Sequence, residues 1–220
     1  MTEATDLDAT RTAYDTVAVD YERLLRDELD AKPLDRAMLA AFCELARVPG
    51  AGPVADLGCG PGRVTAHLDS LGLDVFGVDL SPGMIAVARR THPDLRFVEG
   101  SMTALDLDDG ALGGVVAWYS TVHTPPRLLP AVFGECHRVL APGGTLLLAF
   151  KVGDQHLHRE RAYGHEVSLD VYWTPPELVA GLLREAGLVV DARMIREPDE
   201  SERPRQGRQA FFLAHRPAVA

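Results

Sequence analysis

The chain has 220 residues, 46% of them hydrophobic and 25% charged, and a formal net charge of −10. Such a composition fits one globular domain with a full core and a short helical addition. It argues against a nucleic-acid backbone as partner, and the longest apolar runs are too short to cross a bilayer. Three scattered cysteines (Cys43, Cys59, Cys136) point neither to a disulfide framework nor to a zinc site. The polar, acidic start MTEATDLDAT has no signal-peptide core, so a cytoplasmic location is expected.

Two amphipathic helices are predicted first. Tyr14, Val17, Ala18, Tyr21, Leu24 and Leu25 recur three and four apart, which puts two phenols on one stripe. A second helix begins near Pro33, turns Leu34, Met38, Ala41, Phe42 and Leu45 toward a core, and stops before Pro49-Gly50. The stretch from Pro49 to Gly52 is the expected boundary between a helical cap (1–48) and a sheet domain (49–220). A strand ending at Asp56-Leu57, a glycine turn (Gly58-Cys59-Gly60-Pro61-Gly62) and a helix from about Val64 follow. The next strand, Val75 to Val78, ends in Asp79, and Ser81-Pro82 read as N-cap and first residue of another helix.

Arg96 to Glu99 is a short third strand, and Gly114 to Trp118 a fourth that exits through Tyr119 to His123. A helix with the stripe Leu128, Leu129, Val132, Phe133, Cys136, Val139 and Leu140 ends at Pro142-Gly143-Gly144, before a fifth strand from Thr145 to Phe150. No strong period runs from Lys151 to Tyr172, a stretch read as a polar lid loop. No metal is assigned to its His156, His158 and His165. Thr174-Pro175-Pro176-Glu177 has the pattern of a capping box opening a helix that Gly187 ends. Val189 to Ile195 and Gln209 to Ala214 form a strand hairpin across a charged loop. Arg203, Arg205 and Arg208 in that loop are read as solvated.

The glycine turn carries the chemistry. Gly58 and Gly60 allow dihedrals closed to other residues, and N–H groups at the start of the next helix favour a carboxylate. Arg63 stands where a dinucleotide fingerprint wants its third glycine. Asp56, two residues before the first glycine, would repel a pyrophosphate and hold an ammonium group. Asp79 lies near the offset at which an acid grips ribose hydroxyls. Ribose, amino group and carboxylate together describe S-adenosylmethionine.

In VADLGCGPG, VDLSPGMI and the later AGL ending, the chain resembles the class I S-adenosylmethionine-dependent methyltransferases, from Val54 to His215. The resemblance implies an α/β fold: a doubly wound, Rossmann-like, seven-stranded and mostly parallel sheet whose last strand is antiparallel, with an N-terminal helical cap. It implies a cofactor site of Tyr14, Tyr21, Asp56, Gly58, Cys59, Gly60, Asp79 and Leu80, with Met84 beside the adenine. Ser101 and Met102 stand where the family usually has an acid or small polar residue. Ligands of open sheets bind outside the carboxyl strand ends, so Trp118 is expected to offer its backbone carbonyl to the ligand amino group. His123 is then either a proton acceptor or a pocket wall. Tyr119, Tyr172 and Trp173 are the remaining candidates for a substrate pocket.

The expected activity is in-line transfer of a methyl group to O, N or C of a small, partly aromatic or apolar metabolite, with S-adenosylhomocysteine as spent cofactor. A methyltransferase for tRNA, rRNA or protein and a non-catalytic cofactor-binding module stay open as alternatives. Neither nucleic acid nor membrane is expected as a partner, and homodimerisation is left open.

Overall fold

The computed structural model describes residues 3–47, 50, 52–198 and 207–218. Helices α1 (Glu3–Leu25) and α2 (Pro33–Ala46) precede β1 (Val54–Leu57), α3 (Arg63–Ser70), β2 (Val75–Asp79), α4 (Pro82–Thr91), β3 (Arg96–Glu99) and β4 (Leu112–Trp118). Then come α5 (Leu129–Val139), β5 (Leu140–Lys151), β6 (Gln155–Ala162), β7 (His165–Trp173), α6 (Pro176–Glu185), β8 (Val189–Arg196) and β9 (Gln209–His215). Pro49 and Ala51 at the expected cap boundary, and Arg203 and Arg205, lie outside the described residues.

Seven strands form one sheet in the order β3-β2-β1-β4-β5-β9-β8. All pairs are parallel except those of β9, which runs antiparallel to β5 and β8. The expected doubly wound sheet is therefore present, with its last strand beside the fifth. Strand order reverses between β1 and β4, and the crevice outside their carboxyl ends is where such sheets take ligands. Every residue of β1 and β4 is buried, as strands covered on both faces require. Their side chains alternate between two cores. Ala55, Leu57, Val115 and Ala117 meet α5 and α6 through Phe133, Cys136 and Leu183. Val54, Val116 and Trp118 meet α2 and α3 through Leu39, Phe42 and Leu68.

Helix α1 lies across α4. Val17 and Ala18 pack on Met84 and Val87, while Asp15 Oδ1 accepts from Ser81 Oγ (2.5 Å) and from the Gly83 amide (2.8 Å). Ser81 itself caps α4 by accepting from the Met84 amide at 3.0 Å. One carboxylate from another helix thus completes the N-terminus of α4.

Three local expectations are corrected. The stretch from Lys151 to Tyr172 is not a loop: β6 and β7 pair antiparallel as a separate two-stranded hairpin. Its turn, Tyr163-Gly164, has φ of 51° and 89°, the two positive values of a tight hairpin turn. Thr174 does not cap α6, because Pro175 occupies the cap position and no side chain caps this helix. Strand β5 begins at Leu140, before the Pro142-Gly143-Gly144 turn, because Leu140 pairs with Leu112.

Asp15→Ala removes two bonds at the head of α4, for a loss of about 1 kcal/mol. Thermal unfolding should shift down by roughly 2–4 °C, and an unchanged midpoint would remove Asp15 from the cap.

Candidate functional site

Two cavities open at the carboxyl ends of β1, β2 and β4. The first runs from the glycine turn across Asp79 and Leu80 to Ser101 and Met102, and α1 closes it with Leu7, Thr10, Arg11 and Tyr14. The second, about 470 Å³, lies between α1, the end of β5 and the β6–β7 hairpin. Tyr14, Tyr21, Trp118, Tyr119 and His123 are walls of both.

At the turn, the alternation of β1 decides which groups face the first cavity. Asp56 shares its phase with Val54, so its carboxylate points toward α3, where Oδ2 accepts from Thr65 Oγ1 at 2.7 Å. It is 1% exposed and lines neither cavity. The expectation that Asp56 meets a ligand ammonium is therefore corrected. Burial raises its pKa from 3.8 to about 7, against the opposing Thr65 bond.

The turn amides are likewise engaged inside the protein. Those of Gly58 and Cys59 donate to the Val78 carbonyl, at 2.7 and 3.0 Å. The Gly60 amide donates to Asp79 Oδ2 and the Ser81 amide to Asp79 Oδ1, both at 2.8 Å. Asp79 is thus aimed by two backbone bonds, and each oxygen keeps a lone pair toward the cavity. Burial raises its pKa, while these amides oppose the shift. The glycines serve different ends. A Cβ on Gly58 would lie 2.3 Å from Ser120 Cβ, so Gly58 is needed for packing against the β4 exit. A Cβ on Gly60 would meet nothing nearer than the Tyr21 ring at 3.9 Å, and so would fill open cavity.

The β4 exit bends sharply. Tyr119 has φ of 55°, uncommon for a bulky residue and a mark of strain held by its surroundings. After it, the Thr121–His123 turn brings His123 beneath α1. His123 Nδ1 lies 2.7 Å from the Asp170 backbone carbonyl, which can only accept, so Nδ1 carries the proton. Nε2 then holds the lone pair, and the Tyr14 hydroxyl donates to it at 2.6 Å. Burial lowers the pKa of His123 to about 4, helped by Lys151 and Arg159 nearby. Tyr14 is raised well above the usual phenol value by burial. The pair is neutral near pH 7.

The structure gathers Tyr14, Tyr21, Gly58, Gly60, Asp79, Leu80, Ser101, Met102, Trp118, Tyr119 and His123 around the first cavity. It does not bring Cys59, Met84, Tyr172 or Trp173 to either cavity. Cys59 turns its thiol into a small core with Ile85, Ala88 and Phe97. Met84 is fully buried under α1. On β7 the alternation directs Leu169 and Val171 to the second cavity, while Tyr172 stacks on His156 with ring centroids 4.6 Å apart. Sequence reasoning missed Arg63, Lys151, Arg159, Arg161 and Tyr163 on the second cavity. Only the Tyr163-Gly164 hairpin turn signalled the strand that carries two of them, Arg159 and Arg161.

The raised pKa of Asp56 has a consequence for stability. Between pH 3.8 and about 7 the folded chain holds a proton that the unfolded chain has lost, so this group's contribution falls as pH rises through that window. Asp56→Asn lacks that term. Its stability relative to the parent should climb from pH 4 to 7 in urea denaturation, and a flat difference would refute the buried-acid assignment.

Residues 54–144 match a family model described as a methyltransferase domain. A demethylmenaquinone methyltransferase of Beutenbergia cavernae is 33% identical over 136 residues, covering 62% of this chain and 55% of that protein. An uncharacterized methyltransferase of Mycobacterium bovis is 36% identical over 120 residues, covering 53% of this chain and 47% of the relative. The chain therefore spans about half the length of the curated relatives it matches. Among solved structures, a magnesium protoporphyrin IX methyltransferase from Synechocystis superposes with a TM-score of 0.73 at 15% identity, over 96% of this chain and 99% of that one. Motif, sheet order and matched segment agree: residues 54–144 match a methyltransferase domain, and the seven-stranded sheet around them has the order of the Rossmann-like methyltransferase fold.

Proposed function

We propose that the chain transfers a methyl group from S-adenosylmethionine, bound in the first cavity, to a small acceptor molecule in the second. The observation that carries this reading is the shared border: five side chains line both cavities, so the two adjoin and ligands in them would meet there. When bound, S-adenosylmethionine supplies an activated methyl group on a sulfonium. The residues fit such a ligand. Asp79 offers lone pairs to a ribose diol, Gly60 leaves its Cβ space open, and the faces of Tyr14, Tyr21 and Trp118 suit a cation. The demethylmenaquinone methyltransferase among the relatives supports a small-molecule acceptor over a nucleic acid.

The protein's main contribution is then orientation, which supplies about 7–11 kcal/mol when the reacting atoms are held in line. His123 serves through Tyr14 rather than by direct contact, since Tyr14 covers its lone pair. An acceptor X–H that donates to the Tyr14 oxygen passes its proton there while Tyr14 passes its own to Nε2. The phenol stays neutral and the imidazole becomes charged. With a pKa near 4, His123 is a weak base, suited to an acceptor whose own proton is acidic.

Calorimetry with S-adenosylhomocysteine and methyl transfer from labelled cofactor to a metabolite panel test the reading together. Cofactor binding without transfer to any acceptor would favour the non-catalytic module. Asp79→Ala should weaken S-adenosylhomocysteine by at least about tenfold, the scale of a charged hydrogen bond; unchanged affinity would remove the ribose assignment. Tyr14→Phe should lower kcat by about 100-fold, at the low end for proton transfer, and equal turnover would show that the relay is idle. The acid limb of kcat/KM belongs near pH 4, and a limb near 6.5 would mean an accessible histidine instead.

A further inference from the structure

The second cavity has a charge opposite to that of the whole chain. Five cationic side chains line it (Arg63, Lys151, Arg159, Arg161 and Arg196) against two carboxylates, Glu28 and Asp35, a local balance of +3. The formal net charge of the protein is −10. Both acids stand on one side and are matched there: Arg63 Nη2 lies 3.0 Å from Glu28 Oε2, and Arg196 Nε 3.3 Å from Asp35 Oδ1. The two remaining arginines, Arg159 and Arg161, sit on the other side, on the hairpin strand β6.

Gathering like charges around one concavity costs free energy unless a counter-charge joins them, and a concave site with apolar walls focuses their field. At about 470 Å³ the space falls within the range of small-molecule sites. Tyr163, Leu169 and Val171 also line it, which gives the cavity an apolar stretch as well as a cationic one. Arginine is the side chain whose planar fork matches a carboxylate or phosphate. Arg159 and Arg161 are two apart on β6; the pairing with β7 shifts register between them, and both line the cavity. Across the ladder, Arg161 faces Glu166, which lines neither cavity.

We infer that the acceptor is an anionic small molecule, with an apolar or aromatic body against Tyr163, Leu169 and Val171 and a carboxylate or phosphate against Arg159 and Arg161. The inference rests on the methyltransferase reading and names the substrate class of that same site. It also gives the hairpin a role of its own, because β6 supplies the charge that selects the acceptor while the glycine turn and α1 serve the cofactor.

The test is a set of calorimetric titrations into protein saturated with S-adenosylhomocysteine, using benzoate, phenyl phosphate and benzyl alcohol as probes. At least one anion should bind about tenfold or more tightly than the alcohol, as charge-assisted pairing predicts, and the tighter of the two identifies the head group. Charge reversal in the double variant Arg159→Glu/Arg161→Glu should abolish that preference. Both side chains are exposed, so the fold should survive, and S-adenosylhomocysteine affinity in the same variant serves as the check. Equal binding of alcohol and anions, no anion binding at millimolar concentration, or an unchanged preference in the double variant would overturn the inference. Failure of S-adenosylhomocysteine to bind the parent protein would instead overturn the methyltransferase reading itself, and the acceptor assignment with it.

Discussion

A buried chain of hydrogen bonds from the Tyr14 hydroxyl through His123 to the Asp170 carbonyl joins three parts of the molecule that are remote in sequence. Tyr14 comes from α1, His123 from the exit of β4 and Asp170 from β7. Polar groups so far from water must be paired or they cost roughly 1–3 kcal/mol each. Each member therefore dictates where the next must lie. The carbonyl sets the tautomer of the imidazole, the imidazole sets the direction of the phenol, and the phenol fixes the height of α1 above the sheet. The border that the two cavities share is a product of this constraint, since Tyr14 and His123 belong to it.

The polar groups around this chain divide by role. Asp79, Ser81 and the glycine turn form a network in which backbone amides aim a carboxylate, so it stands ready without rearrangement. On the hairpin side, Asp170 uses its carbonyl for His123 and its carboxylate for His156 and His158, at 2.8 and 2.9 Å. One residue of β7 thus ties the surface of the hairpin to the interior. Arg159 and Arg161 extend from the partner strand. Their charge reaches the second cavity only because the hairpin folds back over α1.

Much of the sheet was legible in the sequence because β1, β2, β4, β5 and β9 are short apolar runs with glycine or proline between them. The order of elements and the antiparallel last strand came from resemblance, and the pairing agrees. The hairpin was not legible. The sequence of β6, QHLHRERA, has one large apolar residue, and its partner surface on α1 lies far away in the chain. The orientation of Asp56 was hidden for a different reason. With both faces of β1 buried, no polar alternation reveals which side a given residue takes, and Thr65 is visible as its partner only once α3 is in place. The stripe of Tyr14 and Tyr21 was plain from spacing, but its meeting with His123 spans 109 positions. The cationic wall was the least readable feature, because its members come from α3, β5, β6 and β8.

The three attachments of α1 have a joint consequence. Asp15 holds it to the head of α4, Tyr14 to the β4 exit, and Asp20 to His165 near the tip of the hairpin at 2.8 Å. A rigid helix of 23 residues cannot lift from one of these without straining the others. Access along α1 to either cavity therefore depends on the same three anchors.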